Sequence, residues 1–239
     1  MSDTPPQNNA PMDNGLIPTD VAERPFVYAP PATPVRVIHK DDHLLVLAKP
    51  SGLLSVPGRP EEHFDSLKTR VLKDYPDATI VHRLDMDTSG VIVMACTRAA
   101  HRHLGLQFEK RKLRKSYIAR VWGTPAEDEG RVIAPMRFDW PNRPKQMIDF
   151  EEGREAITDW EVMEREEGIT RLRLKPHTGR SHQLRVHLMS IGHPILGDTL
   201  YAHDDALHAA NRLQLHSETL RLRHPKDGSW VTFTDPCPF

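Results

Sequence analysis

From Val35 onward apolar and polar positions alternate in short runs. "VRVIHKDDHLLVLAKPSG" predicts two short strands joined at the turn-prone pair Asp41-Asp42, with Pro50-Ser51-Gly52 closing the second. In "DSLKTRVLKDY" the period changes. Leu67, Val71 and Leu72 share one face behind Asp65 or Ser66 as N-cap, which predicts a helix. A strand is expected over 91–95 ("VIVMA"), a helix over about 98–110, and a strand in the β-branched and aromatic "SYIARVWG". Segments 154–165, 170–176, 213–222 and 229–234 also read as strands, while 181–191 reads as a helix with Leu184, Leu188 and Ile191 on its apolar face. Strands outnumber helices and do not alternate with them regularly. The expected fold class is therefore α+β, with a mixed, mainly antiparallel sheet rather than a doubly wound parallel one.

Residues 1–33 break this pattern. Pro5, Pro6, Pro11, Pro18, Pro25, Pro30 and Pro31 stand among Asn, Asp and Thr, too little apolar surface to offset ordering entropy. A mostly disordered tail is expected there, docking near Phe26 to Tyr28, ahead of one folded domain over 34–239. A chain of 239 residues can bury a core without staples. Cys96 and Cys237 have no short spacing, which fits unpaired thiols in a reducing compartment. No basic-then-apolar leader opens the chain and no apolar stretch approaches bilayer length, so a cytoplasmic protein is expected.

Net charge is −1, but it is unevenly spread. Asp3, Asp13, Asp20 and Glu23 against Arg24 give the first 33 residues −3, leaving +2 for the rest. Lys110, Arg111, Lys112, Arg114 and Lys115 form one basic cluster. A second, "RLRLKPHTGRSHQLRVH" from Arg171 to His187, holds Arg171, Arg173, Lys175, Arg180 and Arg185 and no acid. Such unopposed charge suits contacts to nucleic-acid phosphates. His177, His182 and His187 are badly spaced for a metal site, with no HExxH and no cysteine pair. No glycine-rich phosphate loop occurs either. No metal and no cofactor are expected.

The chemistry concentrates in "VHRLDMDTSG", residues 81–90. In "DTSG", Asp and Ser can bond nearby backbone and Gly can supply a positive φ, so a turn is expected. Arg83, two residues before Asp85, would keep that carboxylate ionised, making Asp85 a candidate nucleophile or general base. Asp87 is at i+2 and does not converge with it, which argues against paired-carboxylate hydrolysis.

"HRLDMDTSG" resembles the HRLDxxTSG signature of the RluA family of pseudouridine synthases. "KPSGLLSVPG" at 49–58, "SYIARVWG" at 116–123, "WPNRPKQ" at 140–146 and "TGRSHQLRVHLMSIGHPILGD" at 178–198 extend the resemblance over roughly 35–235 in the family's order. It implies a mainly antiparallel sheet around an RNA-binding cleft, no S4 domain in this chain, and cofactor-free isomerisation of uridine. "LLSVPGR" and "DWPNRPKQ" are similar to members that modify both a tRNA anticodon loop and 23S rRNA, so tRNA and 23S rRNA are the expected partners of a monomer. The resemblance assigns catalysis to Asp85, to Tyr117 packing against uracil, and to Arg180 pairing with Asp85. Arg83 would fill the stack that the flipped uridine leaves, with Arg114, Lys115, Arg173 and Arg185 contacting RNA. A synthase of one RNA only, or a noncatalytic RNA-binding protein on the same scaffold, are the alternatives.

Overall fold

The structure, a computed structural model, describes residues 27–239; the tail expected at the N-terminus lies outside the described residues as far as residue 26. The rest of that expected tail is fastened to the domain. The Tyr28 hydroxyl donates to the Asp65 carbonyl at 2.8 Å and accepts the Leu54 N–H at 3.0 Å, and Arg70 donates to the Pro31 and Thr33 carbonyls.

The first half of the domain runs β1 (Arg36–Lys40), β2 (Leu44–Lys49), α1 (Leu67–Val71), β3 (Thr79–Ile80), β4 (Ser89–Ala95), α2 (Arg98–Glu109) and β5 (Arg114–Trp122). The second runs β6 (Glu129–Ile133), β7 (Met136–Phe138), β8 (Gln146–Ile148), β9 (Ile157–Glu166), β10 (Ile169–Pro176), α3 (Gln183–Ser190), α4 (Asp204–His208), β11 (Leu215–Arg223) and β12 (Trp230–Thr234). The short helix α1 starts where its cap chemistry allows: Ser66 and Thr69 form a reciprocal capping box, while Asp65 pairs with Arg70.

Ten strands make one sheet in the order β1-β2-β4-β11-β5-β10-β9-β6, with β3 added on β4 and β12 on β11; β7 and β8 form a separate hairpin. All pairs are antiparallel except β4 with β11, as the α+β reading expected. β4 is buried on both faces. Ile92 and Met94 enter one core cluster with Leu45, Leu172 and Leu188, while Val91 and Val93 enter another with Leu104, Leu220 and Phe233.

The join at β11 positions the site. Ser217 lies opposite Gly90 of β4 on one side and opposite Tyr117 of β5 on the other. Residues 27 positions apart in the chain thereby meet across a single strand. Gly90 has φ +111°, and a Cβ there would stand 2.2 Å from the Ser217 carbonyl, so only glycine permits this approach. Among the described residues no helix is long and apolar enough to cross a membrane.

Candidate active site

Asp85 sits on the loop that feeds β4, and a second loop built from "KPSGLLS" grips it by its backbone. Ser55 Oγ donates to the Leu84 carbonyl at 2.6 Å and accepts the Leu84 N–H at 3.1 Å. On the far side of Asp85, Gly52 N–H and Lys49 Nζ both donate to the Met86 carbonyl, and Ser51 Oγ donates to the Asp87 carbonyl. Thr88 N–H closes the turn onto the Asp85 carbonyl at 3.2 Å. Ser89 is then tied to His216 Nδ1 and Arg212.

Lys49 is 1 % exposed. Its three donors meet the carbonyls of Pro50, Leu53 and Met86 at 2.9, 2.6 and 2.7 Å, which matches the inventory of an ammonium. Burial pulls its pKa down to about 7, with Asp87 and Asp85 pulling the other way. Sequence reasoning did not single out Lys49, since lysine is ordinarily a surface residue. The one available signal was its position at the end of an otherwise apolar strand.

The Asp85 side chain is half-buried in a cleft of about 2540 Å³. Among the described residues no other side chain ties its carboxylate by a hydrogen bond or ion pair. Tyr117 is buried beside it, its phenol pushed up to about 12 by burial, with Ser217 lowering it and the charge of Asp85 raising it. It is a neutral phenol at any physiological pH. Burial also lifts the Asp87 carboxyl above the usual carboxylate range, against Arg185 and Lys49. His82 stacks on Phe108 with ring centres 4.4 Å apart and accepts the Val93 N–H, and burial drives it down to about 3. It is a neutral structural residue making a local hydrogen bond.

The two arginines of "TGRSHQLR" are placed differently from what the motif suggested. Arg180, expected to pair with Asp85, precedes α3 and donates from Nε to the Glu155 carbonyl at 3.1 Å. Arg185, expected to contact RNA, reaches the cleft wall but is buried on α3 and clamped by Asp198 through bonds of 2.8 and 2.6 Å, which take up its guanidinium. Burial lowers its guanidinium, but the Asp198 bonds and the charges of Asp198 and Asp85 outweigh that and hold it above its ordinary value. The arginine facing the field of Asp85 is therefore Arg185. Gln183 fixes the turn before the helix by accepting from Thr178 Oγ1 and the Arg180 N–H and donating to Ile157 and Thr158.

Arg83 is exposed in the cleft wall. Lys110, Arg111, Lys112, Arg114, Lys115, Lys175, Arg180, Arg221 and Arg223 also line it, against Asp85, Asp87, Glu109 and Asp159. Burial lowers Lys115 to about 8. Arg173 is outside this lining, paired at 2.9 Å with Glu161, which also takes Lys175. The histidines of the second basic cluster have separate partners: His177 with Asp159, His182 with Tyr201, and His187 with Thr158 and the Ala134 carbonyl.

An untied carboxylate beside a buried tyrosine, in a cation-lined cleft at the join of a mixed sheet, describes an enzyme acting on a polyanion. The solved structure of human RNA pseudouridylate synthase domain containing 1 superposes with a TM-score of 0.74 at 27 % identity, covering 88 % of this chain and 87 % of that one. A family model described as RNA pseudouridylate synthase matches residues 43–190, and the chain belongs to that family. It is an isomerase, a pseudouridine synthase that acts on RNA. The dual-specificity RNA pseudouridine synthase RluA of Escherichia coli strain K12 is 55 % identical over 214 residues, 89 % of this chain and 98 % of that protein. Its counterpart in Vibrio cholerae is 51 % identical over 89 % of this chain and 87 % of that protein.

Proposed function

We propose that this synthase isomerises uridine in a tRNA anticodon loop and in 23S rRNA, with Asp85 as its catalytic carboxylate. The observation that carries the reading is the setting of Asp85: untied at its carboxylate, held at its backbone, and in one cleft with the buried Tyr117. The 55 % identity to a dual-specificity relative, spread over nearly its whole length, supports the two RNA classes. The folded domain is residues 34–239, with residues 28–33 fastened to it.

Isomerisation breaks the N1–C1′ bond, turns the uracil and forms a C5–C1′ bond, while the C5 hydrogen is exchanged for one at N1. Substrate and product have one composition, so the reaction needs no co-reactant. Asp85 acts on the ribose, as nucleophile at C1′ or as the base that takes the C2′ hydrogen to leave a glycal. Arg185, held in place by Asp198, sets a fixed positive charge near that carboxylate when RNA phosphates crowd the cleft. Tyr117, neutral and buried, offers its ring to the uracil. Reaching C1′ requires the uridine to leave its stack, at a cost of about a few kcal/mol that a side chain filling the gap offsets. Arg83, exposed in the cleft wall two residues before Asp85, makes that insertion in this reading, and Arg114 and Lys115 hold the backbone of the flanking strand.

Carbodiimide mapping of pseudouridine on anticodon stem-loop RNA and 23S rRNA fragments tests the proposal. A new stop on both RNAs is expected. A stop on one RNA would reduce it to a single substrate, and none on either would overturn the choice of RNAs.

A further inference from the structure

Strands β7 and β8 stand apart from the main sheet and carry an exposed aromatic platform at their tip. Trp140 is 60 % exposed. The Arg143 guanidinium lies 3.8 Å from the centre of its ring system, and the Phe138 ring meets it edge-on at 5.3 Å. The tip is not loose. Asp139 N–H donates to the Lys145 carbonyl, Lys145 N–H to the Asn142 carbonyl, and Asn142 N–H and side-chain amide to the Asp139 carbonyl and carboxylate. At its base, Gln146 N–H donates at 2.8 Å to the Tyr201 hydroxyl, which in turn bonds His182 beside the catalytic residues.

Leaving an indole in water costs free energy unless something covers it, and a guanidinium on its ring adds a cation to the same spot. Phe138, Pro144 and Gln146 belong to the wall of the Asp85 cleft, so the platform continues the surface on which the RNA lies. We propose that Trp140, backed by Arg143, is a stacking platform for one unpaired RNA base next to the flipped uridine. An inference about how RNA is held, it rests on the reading of the cleft as an RNA site. A base offers a π-face to the indole and a phosphate to the guanidinium, the pairing used by proteins that hold single strands. An apolar protein segment would leave Arg143 and the neighbouring Lys145 unmatched.

The test uses the full chain and variants Trp140→Ala, Trp140→Phe and Arg143→Ala with anticodon stem-loop RNA and 23S rRNA fragments. Trp140→Ala is expected to weaken RNA binding and raise KM about tenfold with kcat retained, and Trp140→Phe to recover most of the loss. RNA should quench the fluorescence of the native protein more than that of Trp140→Phe. Replacing loop nucleotides one at a time by abasic sites should reveal one position at which native protein and Trp140→Ala bind alike. Unchanged binding by Trp140→Ala, or a loss equal at every abasic position, would overturn the stack. Binding and quenching are read without turnover. Quenching without pseudouridine formation would therefore remove the proposed substrates while leaving the platform standing.

Discussion

At the scale of single residues, burial decides what each charged side chain is worth. Arg185 and Asp198 are 3 % and 1 % exposed at their side chains, and removing one leaves the other buried and unpaired. Asp198→Ala should cost about 3–5 kcal/mol by urea denaturation, against about 0–1 kcal/mol for Arg173→Ala, whose pair with Glu161 is one-third exposed. His82 gives a pH signature. Its folded-state pKa of about 3 lies below the ordinary 6.5, so the unfolded chain takes up the proton first. Its contribution is fully present above pH 6.5 and is lost as pH falls from there towards 3, at about 1.4 kcal/mol per unit. Stability of the native protein should therefore fall more steeply between pH 6.5 and 5 than that of His82→Gln; equal slopes would contradict the neutral assignment. Asp85 was legible as a candidate because it is an acid in a turn with an arginine beside it, inside "HRLDMDTSG". The choice between Arg180 and Arg185 was not, since both lie in one motif and the answer depends on where α3 begins. Arg185 next to Leu184, on a helix whose face also holds Leu188, was the available sign that it points inward.

At the scale of elements, the long strands and α2 were readable from periodicity, and β6, β7 and β8 were not. β6 buries one residue of five, and β7 and β8 have three residues each, too few for an alternation to register. What no local pattern could convey is that "KPSGLLS" and "HRLDMDTSG" are one device. The first loop exists to hold the backbone of the second. Ser55→Ala leaves the Leu84 N–H and carbonyl without their partner and should cost about 1–3 kcal/mol of stability. Because it shifts Asp85, it should also lower kcat while RNA affinity stays at the native level, measured by filter binding and single-turnover rates. Gly90→Ala would push a methyl group into the Ser217 carbonyl and separate β4 from β11, so loss of cooperative unfolding and of activity is expected together.

At the scale of the whole molecule, a near-neutral chain presents a strongly basic cleft, and total charge was a poor guide to its partner. RNA affinity should fall linearly in log–log plots against salt. Arg114→Glu should weaken binding and flatten that slope by roughly one phosphate contact, whereas Arg173→Glu, outside the cleft lining, should do neither. The central claim is narrower than binding: the sheet brings Asp85 to the join at β11 so that one carboxylate performs the isomerisation. The measurement that reaches it most directly is a single-turnover assay of Asp85→Asn beside the native protein, following tritium release from C5-labelled uridine in the stem-loop together with RNA affinity. The variant should bind RNA as the native protein does and release no tritium. Release at the native rate would show that the chemistry resides elsewhere.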